Sequence, residues 1–201
     1  MQTLGKNRLE AFSDGVVAII ITIMVLELKV PHDTSLAGLL ALTPLFLSYA
    51  LSFVVVAILW VNHHHLVHTA RQVSGRILWL NNHLLFWLSL VPFTTGYMGE
   101  NHLAPLPVSL YGLVLFFCGV AFDLLRREIA HQQLDDATLT MVHRRSNWRN
   151  AASALLYLAA VPLAWVSVWL SVAIYLLIPL VYFMPGRTIE RLATEQTPAA
   201  G

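Results

Sequence analysis

Three residues near the start of the chain invite chemistry: Arg8, Ser13 and Asp14. They stand at the mouth of an apolar run, Gly15 to Leu26, that with its flanks is long enough to cross a bilayer. An ionisable group inside hydrocarbon is costly. It therefore faces protein or water and marks an ion path, a proton relay or a bond between helices. A second group is His63-His64-His65 with His68. Imidazoles can ligate a metal or a haem iron. Consecutive helical residues point about 100° apart, so three in a row cannot chelate one ion. His64 and His68, spaced i and i+4, could share one, but no carboxylate or cysteine lies near them in sequence. The expectation is interfacial histidines, with no structural metal and no cofactor.

Composition dictates the elements that position these residues. Of 201 residues, 57% are hydrophobic and 11% charged, with a mean hydropathy of +0.67. A soluble domain is about a quarter charged. So little polar surface implies an integral membrane protein set in a lipid bilayer. The net charge of +1 gives no electrostatic case for nucleic acid. Cys118 is the only cysteine and reads as a small buried hydrophobe. No nucleophile elbow, phosphate loop or zinc-protease signature is present, so no enzyme is expected. Lys6 and Arg8 resemble the basic start of a signal peptide. Glu10 and Asp14 interrupt its core, however, and no small-x-small site precedes Pro31, so an uncleaved first span is expected.

Six apolar runs can be marked, at about 9–30, 37–61, 77–98, 104–125, 149–166 and 168–184. They predict an all-α polytopic membrane protein with six transmembrane helices in a single domain, 1–201. The last two runs, Ala151 to Met184, are too long together for one crossing and predict a tight hairpin near Val166–Trp169. On this layout Lys6, Arg8, Arg71, Arg76, Arg126, Arg127, Arg144, Arg145, Arg149, Arg187 and Arg191 share one side, and Lys29 alone is on the other. Eleven against one predicts that both termini are cytoplasmic. The connection Arg126–Trp148 reads as a polar, helix-rich cytoplasmic link, and the tail after Pro185 as a frayed end.

Thr94-Thr95-Gly96-Tyr97-Met98-Gly99 resembles a carbonyl filter of the Thr-Val-Gly-Tyr-Gly type. Met98 breaks its register, and a re-entrant loop there would put five later arginines outside. An ordinary glycine-rich helix end is expected instead. On a helical wheel Arg8, Phe12, Gly15, Ile19, Thr22, Ile23 and Leu26 share one face of the first span, with Ser13 and Asp14 pointing away. Such a stripe is either a packing face or a pore wall in which Ile19, Ile23 and Leu26 constrict and Thr22 offers oxygens. Arg8, Ser13, Asp14, Trp60, Asn62, His63, His64, Asn82, His83 and Asp123 all fall in the cytoplasmic third. They could join in one interhelical polar network, which either locks packing or takes part in gating.

The pattern Arg8-x-x-x-Phe12-Ser13-Asp14, followed by Gly15-Val16-Val17-Ala18-Ile19 and Leu26-Glu-Leu-Lys-Val30-Pro31, resembles the transmembrane protein 175 potassium-channel family. The resemblance implies a potassium-permeable channel in a prokaryotic plasma membrane, assembled as a homotetramer with the first helix lining a central pore. It implies a hydrophobic constriction at Ile19, Ile23 and Leu26, and potassium preference linked to Thr22, with a potassium ion near that hydroxyl. Arg8, Phe12, Ser13 and Asp14 match the signature. Two other readings remain: a proton-coupled secondary transporter using Asp14 and the cytoplasmic-side histidines, and a redox or metal protein using His64 and His68.

Overall fold

The computed structural model describes residues 3–70, 72–131 and 151–183, and every regular element among them is an α-helix. In chain order these are α1 (Thr3–Leu26), α2 (Leu36–Ala41), α3 (Thr43–Thr69), α4 (Gly75–Ser89), α5 (Val91–Glu100), α6 (Pro105–His131), α7 (Ala151–Leu163) and α8 (Val168–Phe183). Prolines explain two of the breaks. Pro44 sits in the first turn of α3 and Pro92 in the first turn of α5, where a missing N–H costs least. At Leu90 the cap keeps right-handed helical geometry, so α4 and α5 run on as one broken crossing, Gly75–Glu100.

Among the described residues, four segments are long and apolar enough to cross a membrane: Gly5–Leu26, Thr43–Thr69, Gly75–Glu100 and Pro105–His131. The described parts of α7 and α8 are shorter apolar helices. They fold back on each other as the sequence predicts. The chain turns at Ala164–Val166, the Ser171 hydroxyl donates to the Ala160 carbonyl at 2.8 Å, and the Tyr157 and Tyr175 rings lie 6.1 Å apart. Most of the link Arg126–Trp148 and the tail after Pro185 lie outside the described residues, as do Arg71, Arg144, Arg145, Arg149, Arg187 and Arg191.

Helix ends carry the charges. At one end Lys6 donates to the His68 carbonyl of α3, Arg76 pairs with Glu128 at 3.0 Å, and Arg126 and Arg127 both grip Asp123. At the other end Lys29 pairs with Glu100. That carboxylate holds the Lys29 ammonium above its ordinary range. The filter-like residues 94–99 lie within α5 and are nearly all buried. Their carbonyls are spent on the helix, and their glycines serve packing. A Cβ on Gly99 would come within 2.8 Å of the Leu45 Cα, so only glycine lets α5 approach the α3 backbone this closely.

Candidate functional site

α1 presents two unlike sides. Leu9, Ser13, Val17, Ile20 and Met24 recur every three to four residues and are buried, Met24 to 1% exposure. Phe12, Ile19, Ile23 and Leu26 lie on the other side and are exposed, Ile19 to 58% and Leu26 to 77%. Arg8, Gly15 and Thr22 share that exposed side. The whole stripe marked on the helical wheel therefore faces outward from the protomer. The Thr22 hydroxyl donates to the Ile19 carbonyl at 2.9 Å. Its proton is thus turned into the helix, and its lone pairs are what a cation would meet.

Behind this stripe, Ser13 anchors α1. Its hydroxyl donates to the Leu9 carbonyl at 2.8 Å and accepts from the Asn81 amide at 3.0 Å. The Asn81 amide oxygen lies 2.7 Å from His63 Nε2, which must donate to it. Ser13, His63 and Asn81 are all buried, so three helices, α1, α3 and α4, meet through a hydrogen-bonded triad. One turn away Trp60 Nε1 donates to Asp14 Oδ1 at 2.8 Å, a second tie between α3 and α1. The Glu10 Oε1 atom is buried nearby and has no hydrogen-bond partner among the described residues.

The other polar residues expected in the network are distributed differently. Asn82 is exposed, and its neighbour Asn81 takes the buried place. The signal was available: Ile77, Asn81, Leu84, Leu85 and Leu88 share one buried helical face, which leaves Asn82 outside it. His83 is exposed and accepts from Trp87 Nε1 at 2.9 Å within α4. The His64 ring stacks on His68 at 6.3 Å, with Trp60 at 6.0 Å on its other side. Asn62 lines a cavity between α3 and α7. Asp123 is held by Arg126 and Arg127. Among the described residues no three His, Cys, Asp or Glu side chains are grouped to hold a metal.

A second buried hydroxyl cluster was not anticipated. Thr95 of α5 lies 2.7 Å from the Ser52 hydroxyl of α3, which lies 3.1 Å from that of Tyr111 on α6. It fixes those three helices behind the one bearing the exposed stripe.

Helices of spanning length, an apolar stripe left open and a polar lock behind it define an integral membrane protein of channel-like build. Residues 8–92 match the family model described as endosomal/lysosomal potassium channel TMEM175. A protein of a Chryseobacterium species named as a potassium channel is 42% identical over 96% of this chain and all of its own length. One of Streptomyces collinus with the same description is 33% identical over 88% of this chain and 91% of its own. The crystal structure of a lysosomal potassium-selective channel TMEM175 homologue from Chamaesiphon minutus superposes with a TM-score of 0.78 at 29% identity. It covers 89% of this chain and 96% of that one. The chain belongs to the TMEM175 family.

Proposed function

We propose that this chain is a potassium-permeable cation channel, assembled as a homotetramer with four copies of α1 around a central pore. The observation that carries the reading is the outward exposure of Ile19, Thr22, Ile23 and Leu26 on a helix whose opposite side is packed and hydrogen-bonded. One such helix cannot enclose a path, so copies must bring these stripes together. The relatives described as potassium channels support the choice of ion.

In this reading Ile19, Ile23 and Leu26 form rings that close the path by expelling water, without a charged plug. Thr22 supplies oxygens to a potassium ion between them. No row of carbonyls strips the ion, so selectivity is modest. Ser13, His63 and Asn81, with Asp14 and Trp60, hold α1 at a fixed distance from the axis. Arg8 and Phe12 continue the same face toward the end where the basic residues gather, which we assign to the cytoplasm. Six crossings then place both termini there, in a cell membrane.

The test is flux from protein reconstituted into liposomes, with potassium exchanged for sodium, beside a measurement of particle mass. Faster potassium flux and a mass of four protomers are expected. Thr22→Val should narrow the potassium-to-sodium ratio. Equal flux for both ions would remove potassium preference, and a monomeric mass would remove the shared pore.

A further inference from the structure

Gly96, inside the filter-like run of α5, has a charged neighbour. A Cβ at Gly96 would lie 3.3 Å from Glu27 Oε2, closer than side chains ordinarily approach. Glycine at this position lets the Glu27 carboxylate rest against α5. Glu27 is the first residue past α1 and follows Leu26, the last residue of the exposed stripe. It is half-buried, and among the described residues it has neither a hydrogen-bond partner nor an ion-pair partner.

The cation best placed to cancel Glu27 is Lys29, two residues on. Its ammonium is held elsewhere, by Glu100 at the C-terminal end of α5. Glu27 acts on that ammonium through space, but Glu100 acts on it more strongly. Lys29 and Glu100 therefore cancel each other, and the charge of Glu27 is left over beside the end of the stripe. Asp33, the next charge along the loop, is bonded to Ser35 instead.

A fixed negative charge at the mouth of a narrow path raises the local cation concentration and repels anions. Carboxylate rings act this way in cation channels. The effect is a field, so the carboxylate need not touch the ion. Its reach is set by salt, about 30 Å at about 0.01 M and about 3 Å at about 1 M.

We propose that Glu27 determines conductance at the outer mouth of the pore, and that Glu100 keeps Lys29 from cancelling it. The proposal rests on the reading that α1 lines the path.

The test is single-channel potassium current in planar bilayers of uncharged lipid, over a series of KCl concentrations. As KCl is diluted, wild-type current should fall less than in proportion, because the fixed charge holds the local cation concentration up. Glu27→Gln should cut the current roughly threefold near about 0.01 M KCl and hardly at all near about 1 M. Glu27→Asp should restore it. Glu100→Gln frees Lys29 and should reproduce most of the loss. Removing the neutral pair together, Lys29→Gln with Glu100→Gln, should leave the current near that of wild type.

Three results would overturn the proposal. The first is a wild-type current strictly proportional to KCl at the dilute end, a measurement that needs no variant to fold. The second is a Glu27→Gln current that is unchanged, or reduced equally at every salt concentration, since a structural role has no reason to follow screening. The third is a loss in the double variant as large as in Glu27→Gln. A wild type that passes no potassium at any concentration would instead overturn the channel reading, and this proposal with it.

Discussion

Both sides of α1 are largely apolar, but only one of them is packed. The buried side carries Ser13, whose hydroxyl is tied to Asn81 and through it to His63, amid Leu9, Val17, Ile20 and Met24. The exposed side carries Phe12, Ile19, Ile23 and Leu26. In water the exposed aliphatic side would be costly. In a bilayer, aliphatic surface costs nothing to expose, and polar groups are what must find partners inside. The buried side therefore serves assembly of the protomer, while the exposed side is left open for the contacts between copies proposed above. A mutation should act on stability or on flux according to the side it touches.

The largest effect expected is on the exposed side. If the proposed constriction is there, Ile23→Asn or Leu26→Asn wets it, and liposome flux should rise roughly tenfold, the equivalent of about 1.4 kcal/mol off the barrier. Protomer stability should hardly change, because neither side chain packs in the core. Unchanged flux in both variants would mean the stripe faces lipid.

The buried side should respond in the opposite sense. Asn81→Ala leaves Ser13 and His63 without their shared partner and should cost about 1–2 kcal/mol in a detergent unfolding titration. Asn82→Ala, one residue along on the exposed face, should cost nearly nothing. Equal losses would show that the triad is not what secures α1. Trp60→Phe keeps an aromatic side chain but drops the bond to Asp14, and about 0.6 kcal/mol is expected by the same titration.

The smallest effect lies off both sides, in the loop leading to α2. Asp33 accepts from the Ser35 backbone N–H at 2.8 Å and from its hydroxyl, which holds its carboxyl below the ordinary range. A depressed carboxyl stabilises the fold above its ordinary pKa, and that stability fades as pH falls through the lowered value. Asp33→Asn should flatten this acid limb slightly. A profile identical to wild type between neutral pH and the acid limb would mean the loop bonds add nothing.

How much was legible depended on the range of the information. Hydropathy along the chain marked the crossings, because a bilayer forces apolar runs of one length on any helix within it. The hairpin of α7 and α8 was legible for the same reason, since a doubled run cannot cross once. Periodicity picked out the stripe on α1, for side chains every three to four residues must share a side. The choice of Asn81 over Asn82 was in the same periodicity, in the neighbours Ile77, Leu84, Leu85 and Leu88.

Other features had no local trace. Sharing a depth made Asp123 a candidate for the network around Ser13, yet depth gives no azimuth. What could be read locally is its pairing with Arg126 and Arg127, which lie three and four residues on along α6. The residues 94–99 already read as a helix end rather than a filter, but that Gly99 seats α5 against the α3 backbone came only from the structure. Gly112 reads like any glycine of α6, yet a Cβ there would fall 2.0 Å from the hydroxyl of Tyr175, which comes from far along the chain. Sequence alone determined that this is a helical membrane protein with an apolar stripe on its first helix, since solvent acts on every residue through its own side chain. Which groups touch across helices was decided by tertiary structure, because those distances depend on how separate helices rotate and approach.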